Sequence, residues 1–197
     1  LLGVLHLEAG RNEQSVIELA QYLRRYPQDV SAAEALVGGL VRIERYAEAM
    51  RVMNGILGRP DAEPKHYLFV MYVTLKSGNP ETTESMAPPS GAPILGTLFT
   101  AFARQEQDLP YAPLVEALDA TEGDLDAECT DLLNGMLYQF GAETTGSDLL
   151  ARIGRLGESG LASRTMEIIR ARILMSQGRH AEAIPILEGV LERYAPE

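Results

Sequence analysis

Apolar side chains recur along this chain at the spacing of an amphipathic α-helix. Two consecutive apolar stripes, separated by a polar turn at residues 44–46, consist of Leu36, Val37, Leu40 and Val41, and then of Ala49, Met50, Val52, Met53, Ile56 and Leu57. The same period continues through residues 94–156, and no apolar pattern alternates over the length of a strand. The pattern therefore predicts an all-α fold of paired helices with almost no β-strand.

The first part of the chain repeats itself with a period of about 34 residues. A shift by one period places Leu2 on Leu36 and Gly10 on Glu44. A second shift places Gly10 on Gly78. Small, apolar and turn positions recur together in this alignment. Each unit is therefore predicted to be a helix, a short turn and a second helix.

Three stretches carry the signature of one family of helical repeats. They are Leu2-Gly3 with Gly10-Arg11, Leu19 and Tyr26-Pro27, then Arg45-Tyr46-Ala47-Glu48-Ala49 with Pro60, and finally Gln177-Gly178-Arg179-His180-Ala181-Glu182-Ala183-Ile184. In these stretches the chain resembles tetratricopeptide repeats, clearest at residues 1–78 and 165–195. The resemblance implies a right-handed solenoid of antiparallel helix-turn-helix hairpins. Over residues 1–197 it implies one domain of about six hairpins, the first truncated and the middle ones divergent.

The middle of the chain departs from this signature. The third unit is expected to decay after its first helix, Tyr67 to Lys76, because a short second helix soon meets the proline-rich residues 88–93. Helical periodicity persists beyond them, so a continuous stack is expected. A boundary between two small domains near 88–93 is the alternative. Pro27 and Pro60 are expected to end helices, whereas Pro185 lies near a helix start and is tolerated there.

Acidic residues exceed basic residues only in the middle of the chain. The net charge is −11, and residues 105–148 contain 11 acids without Lys, Arg or His, which accounts for the whole excess of 28 acidic over 17 basic residues. The balance argues against non-specific nucleic-acid binding. The run 119–128 is expected to be a solvated connector that caps the next helix, without a tightly held metal, because the spacing of an EF-hand fails.

Candidates for catalysis and cofactor binding are few. His6, His66 and His180 lie far apart in the sequence and are each expected to be structural, as a helix-packing, a helix-start and a turn residue. Cys129 is expected to be a buried, unreactive thiol. The sequence contains no phosphate-binding loop and no nucleophile elbow. Neither enzymatic activity nor a cofactor or metal is therefore predicted.

The resemblance also implies where a ligand binds. In the family, first helices line a concave groove, and the 34-residue period places four candidate protein-binding residues on that side: Arg42, Tyr72, Lys76 and Arg172. Family members that grip a terminal carboxylate use a Lys and Asn arrangement on this face. This chain has Glu34, Gly38, Leu68 and Tyr72 at those positions, so that role is disfavoured. An acidic or amphipathic peptide is the expected ligand of this groove, and a basic one is expected if the acidic middle is the recognition surface.

The predicted function is a non-catalytic protein-interaction scaffold, a segment of a larger repeat protein of bacterial type. The alternative is a helical regulatory or auxiliary region of an enzyme whose catalytic domain lies elsewhere. A homo-oligomer is left open, and so is the choice between cytoplasm and periplasm. No membrane insertion is expected, because the apolar stretches are shorter than the roughly 18 residues of a spanning helix.

Overall fold

A computed structural model describes residues 2–194 of the chain, and this range is helical without any β-strand. The helices are α1 (Leu2–Glu8), α2 (Asn12–Arg25), α3 (Val30–Arg42), α4 (Tyr46–Leu57), α5 (Pro64–Lys76), α6 (Glu81–Ser85), α7 (Pro93–Glu106), α8 (Ala112–Ala117), α9 (Leu125–Asp131), α10 (Tyr138–Phe140), α11 (Ala142–Glu158), α12 (Arg164–Ser176) and α13 (His180–Tyr194). A 3₁₀ turn, Leu118–Ala120, extends α8, and a π-helical segment, Leu132–Leu137, joins α9 to α10. The all-α prediction is confirmed.

Prolines set several helix boundaries as predicted. The helix α2 ends at Arg25, shortly before Pro27, and α4 ends at Leu57, shortly before Pro60. The helix α5 begins earlier than predicted, at Pro64, because proline fits the first helical position, where no amide donor is needed. Pro185 is the sixth residue of α13, beyond the first turn in which it was expected to be tolerated, and the helix nevertheless continues to Tyr194.

Five turns within the described range close in the same way. Each has one residue with positive φ, between 55° and 73°, namely Gly10, Glu44, Gly78, Asp108 and Gly178. The amide after that residue donates to a carbonyl in the last turn of the preceding helix, over 2.8–3.3 Å, as between Arg11 and His6 or between Leu109 and Arg104. This is a Schellman-type helix end. The first three turns keep the spacing that the sequence predicted, and Asp108 reveals an equivalent turn where the signature is lost.

Glu44 occupies a left-handed conformation that Gly10 and Gly78 adopt in the equivalent turns. This conformation destabilises a residue that has a Cβ by about 1–2 kcal/mol. The greater conformational freedom of glycine in the unfolded chain offsets about half of the stability gained by replacing that residue with glycine. Glu44→Gly is therefore expected to raise the free energy of unfolding by about 0.5–1 kcal/mol, measured by urea denaturation.

Gly78→Ala provides the reciprocal test of the same turn. A Cβ at Gly78 would meet nothing within 4 Å, so only the backbone conformation opposes it. The substitution is expected to lower the free energy of unfolding by about 1–2 kcal/mol. Unchanged denaturation midpoints in both variants would contradict the left-handed geometry of these turns.

Buried apolar residues form a cluster that continues across the proline-rich residues 88–93. Its members extend from Leu7 to Ile173, and a smaller cluster of Ala171, Leu174 and Ala183 lies between α12 and α13. Pro88 itself packs on α7, close to Gly96. Consecutive helices pack on one another from α1 to α5, so the hydrophobic core is built mainly from sequence neighbours.

The π-helical segment and α10 depart from this neighbour packing, because they lie across α3 and α5. The carbonyl oxygen of Gln139 approaches Gly38 so closely that a Cβ there would lie 2.6 Å from it. Phe140 stacks on Tyr72, with ring centroids 5.5 Å apart, and meets the edge of Phe69 at 5.0 Å. We call the surface of α3 and α5 around these residues the inner face. It is covered by the chain's own π-helical segment and α10.

Candidate functional site

Three of the four residues predicted to bind a partner meet at one cavity. This junction cavity has a volume of about 290 Å³ and lies where α3 and α5 approach the start of α11. Its lining includes Asn12, Arg42, Tyr46, Tyr72, Lys76 and Gly141. The fourth predicted residue, Arg172, is not part of it. Arg42, Tyr72 and Lys76 therefore lie close together, whereas the predicted group of four is not assembled at one site.

Tyr72 was expected to be an exposed contact residue, and this expectation is wrong. Its side chain is only 1% exposed, because Phe140 covers the ring. Burial raises the pKa of the Tyr72 hydroxyl above its ordinary value, while a hydrogen bond with Thr145 acts in the opposite direction. The Tyr72 ring, which was predicted to contact a bound peptide, instead packs against Phe140 in the inner face.

Arg42 and Lys76 line the junction cavity but also connect helices. Arg42 donates from Nη1 to the carbonyl of Leu7 at 3.0 Å, which links α3 to α1. Lys76 lies with its Nζ 3.6 Å from a carboxylate oxygen of Asp148, which links α5 to α11. With Asp148 and Glu44 beside these two cations, the cavity carries both signs of charge, and its lining does not select strongly for a charged ligand.

A buried polar cluster joins the inner face to α10. Nε2 of His66 lies 2.7 Å from Oε1 of Glu34, and Nζ of Lys65 lies 2.9 Å from the same oxygen. Nδ1 of His66 accepts the backbone amide of Glu63 at 2.8 Å. Because an amide can only donate, Nδ1 carries no proton, and the proton on Nε2 is donated to Glu34. Gln139 donates to the other oxygen of Glu34 at 3.3 Å.

Glu34 was expected to face an open groove, and this is also wrong, since the residue is buried. Burial acts to raise the pKa of Glu34, but hydrogen bonds from His66 and Lys65 outweigh it and hold the pKa below its ordinary value. His66 is fully buried at the start of α5, which confirms its assignment as a helix-start residue. The cluster therefore acts as a joint between α3, α5 and α10, and its Glu34 and Gln139 also line a cavity of about 470 Å³ beside α1.

Two carboxylates of the acidic middle cap helices: Asp124 caps the next helix, as predicted for this run, whereas Asp119 caps the distant α12. Asp124 accepts the amide of Ala127 at 3.1 Å at the start of α9. Asp119 accepts from the hydroxyl of Ser163 and from the amide of Thr165, both at 2.7 Å, at the start of α12. Burial acts to raise the pKa of Asp119, but these hydrogen bonds outweigh it and lower the pKa.

Glu128 contradicts the expectation of a solvated connector. Its side chain is buried, and its two oxygens accept the amides of Ile94 at 3.3 Å and Leu95 at 2.7 Å. These amides belong to the first turn of α7, where no carbonyl of the same helix can accept them. Glu128 therefore caps α7 from a distant part of the chain.

Other acids of the middle pair with cations of the chain itself. Arg172, the fourth predicted binding residue, forms an ion pair with Asp126. Glu106 pairs with the buried Arg152, which also binds Asp148 at 3.0 Å. Arg172 thus lies on α12 against the acidic middle, apart from the junction cavity.

The described residues contain no group of three His, Cys, Asp or Glu side chains that could hold a metal ion. Cys129 is buried, which confirms that part of the prediction, and burial raises its pKa to about 11. The thiolate is therefore disfavoured at neutral pH. His180 is the first residue of α13 rather than a turn residue.

None of the helices between residues 2 and 194 combines the length and the apolar character that crossing a membrane requires.

Sequence reasoning missed the residues that cover the inner face, above all Gln139 and Phe140. Both lie in the divergent middle, where no repeat signature marks a position as inward-facing. Comparisons of the chain with family models, with curated proteins and with solved structures found no match.

Proposed function

We propose that this chain is a non-catalytic protein-interaction scaffold, a solenoid of tetratricopeptide-type hairpins that holds a partner protein on its outer side. The observation that carries the proposal is an open apolar groove between α2 and α4, with α3 as its floor. This outer groove has a volume of about 520 Å³. It lies within the size range of ligand-binding clefts in proteins.

The outer groove combines apolar wall residues that reach solvent with an apolar floor that is buried. Its floor contains Leu36 and Leu40 of α3, and its walls contain Ile17 of α2 and Val52 of α4. Ile17 is 56% exposed, although it lies beside a buried floor. Interfaces between separately folded proteins likewise combine apolar and polar surface.

The covered inner face also favours a partner on the outer side. In the resembling family the first helices line the binding groove, but here Phe140 and Gln139 occupy the corresponding surface of α3 and α5. A partner at the inner face would have to displace these residues from a packed core. Binding at the outer groove requires no such rearrangement.

The recurring helix ends support the solenoid part of the proposal. Gly10, Glu44 and Gly78 share one backbone conformation at the predicted spacing, and α1 to α5 pack in chain order. In a stack of this kind each pair of helices contacts its neighbours and leaves grooves between them on the surface. Such surfaces serve as extended binding sites in repeat proteins.

Photo-crosslinking in the cells that naturally express this chain tests the proposal directly. A photoreactive amino acid replaces Ile17 in the outer groove, Thr144 at the junction cavity, or Glu158 as an exposed control on α11. We expect one discrete protein adduct from position 17 and none from position 158, resolved by electrophoresis and mass spectrometry. No adduct at position 17, an adduct at position 144 alone, or equal adducts at all three positions would contradict a partner on the outer side.

A further inference from the structure

We infer that the outer groove binds an amphipathic helix whose apolar stripe is flanked by acidic side chains. The inference rests on the proposed function and adds the chemistry of the partner. It depends on a contrast between the local charge of the groove and the charge of the whole chain.

The groove is locally basic in a strongly acidic protein. Its charged lining residues are Arg24, Arg45, Arg51 and Glu48, while the chain as a whole carries a net charge of −11. Arg45 binds Glu48 through two hydrogen bonds of 2.5 Å and 2.6 Å, so these two charges neutralise each other. The local excess of positive charge therefore comes from Arg24 and Arg51.

Arg24 and Arg51 stand on opposite walls, on α2 and α4, and both are exposed. The guanidinium groups of both residues form no ion pair or hydrogen bond with another residue in the range 2–194. Acidic side chains on both edges of a bound segment would meet these guanidinium groups, and arginine recognises carboxylates well through two parallel hydrogen bonds. The two arginines therefore favour a partner with acids on both sides of its apolar stripe.

The dimensions of the groove suit a short helical segment. Its α2 wall runs from Val16 to Arg24, about two helical turns or roughly 12 Å. Ile17 and Ala20 lie about one turn apart on the α2 wall and reach solvent, whereas Val16, Leu36 and Leu40 are buried. Apolar residues one turn apart on a partner helix would match this spacing, as in other complexes in which a helix occupies a groove.

Synthetic peptides provide a defined probe for this surface. The acidic peptide is helical and carries two leucines one turn apart, flanked by glutamates. In the basic peptide lysines replace the glutamates, and in the polar peptide serines replace the leucines of the acidic one. Fluorescence anisotropy is measured with the full chain at low and high salt.

We expect the acidic peptide to bind at least about tenfold more tightly than the basic peptide, because like charges at an interface are costly. The polar peptide is expected not to bind. This order is diagnostic, since the net charge of −11 would favour the basic peptide if binding were non-specific. High salt is expected to weaken binding of the acidic peptide.

The double variant Arg24→Glu, Arg51→Glu is expected to reverse the preference between the two charged peptides. Its matched control is Arg164→Glu, Arg193→Glu, which changes the net charge equally at exposed positions on α12 and α13. The control is expected to keep the preference for the acidic peptide. Circular dichroism verifies that both variants retain the helical fold.

Equal binding of the acidic and basic peptides, or an unchanged affinity for the acidic peptide after reversal of Arg24 and Arg51, would overturn the inference. If no peptide binds while a crosslinker at Ile17 still captures a protein, the acidic-helix inference fails and the scaffold proposal stands. If both experiments fail, the outer groove is not a binding surface.

Discussion

Gly38→Ala is expected to lower the free energy of unfolding by about 2–3 kcal/mol, in the range that overpacking of a tight contact produces. The added Cβ would lie 2.6 Å from the carbonyl oxygen of Gln139, closer than such atoms approach one another. A flexible side chain could move aside, but this oxygen belongs to the backbone of α10. Either α10 separates from α3 or α3 shifts against its neighbours, and both responses disturb the core.

Gly55→Ala is the matched control for this experiment. Gly55 also lies within a helix, α4, but it is exposed, and a Cβ there would meet nothing within 4 Å. Alanine is favoured over glycine inside a helix, so this variant is expected to gain about 0.5–1 kcal/mol. The same chemical change is thus expected to have opposite signs at the two sites, measured by urea denaturation followed by circular dichroism.

The comparison also tests the covered inner face. If Gly38→Ala stabilises the chain as Gly55→Ala does, α10 does not lie on α3 in solution. Tyr72 would then be open to a ligand. The concave groove implied by the family resemblance would again be the candidate binding surface. Destabilisation by Gly38→Ala alone supports a partner on the outer side.

Local features of this fold could be read from the sequence because they depend on residues close in the chain. The turns at Gly10, Glu44 and Gly78 recur with the period of the repeat, and a helix end of this type needs only a few neighbouring residues. Asp108 adopts the same conformation without glycine. The turn that it forms was therefore hidden from a search for the signature.

The covered inner face could not be predicted, because it depends on contacts between distant parts of the chain. Gly38 and Gln139 belong to different repeats, and no periodic pattern relates them. A linear stack leaves the inward positions of its first helices open. The period therefore predicted an exposed side chain for Tyr72 on this side, and the side chain is instead buried. Burial by Phe140 arises only when the divergent middle folds back over α5.

Glu128 illustrates the same limit within the acidic middle. In the sequence it is one of several similar carboxylates, among them Asp124 and Asp126. Asp124 caps the helix that immediately follows it, which local reasoning predicts. The role of Glu128 depends instead on the amides of Ile94 and Leu95, which reach it only through packing of α9 on α7.

Glu128→Ala is expected to lower the free energy of unfolding by about 2–4 kcal/mol, because it leaves two buried amides of α7 without an acceptor. Glu128→Gln retains one acceptor oxygen and is expected to cost less. The matched control is Glu122→Ala, at an exposed acid of the same segment, which is expected to change stability by no more than about 0.5 kcal/mol. Chemical denaturation at neutral pH measures all three variants.

The pH dependence of Glu128 has a sign that distinguishes it from the other buried acids. Burial raises its pKa above the ordinary value of 4.5, the amides of Leu95 and Ile94 lower it in part, and the charges of Asp124 and Asp131 raise it further. The folded state therefore holds this proton to a higher pH than the unfolded chain does. As pH rises from about 4.5 through the folded pKa, ionisation of Glu128 removes stability.

The difference in unfolding free energy between Glu128→Gln and the wild type isolates this effect, since glutamine does not titrate. We expect the difference to shift in favour of glutamine as pH rises from about 4 to about 7. Glu34 and Asp119 have lowered pKa values and contribute stability that is lost as pH falls, but they are common to both proteins and cancel. A difference that is constant with pH would place the Glu128 carboxylate in solvent, and one that shifts in favour of the wild type would mean that the amides of Ile94 and Leu95 outweigh burial.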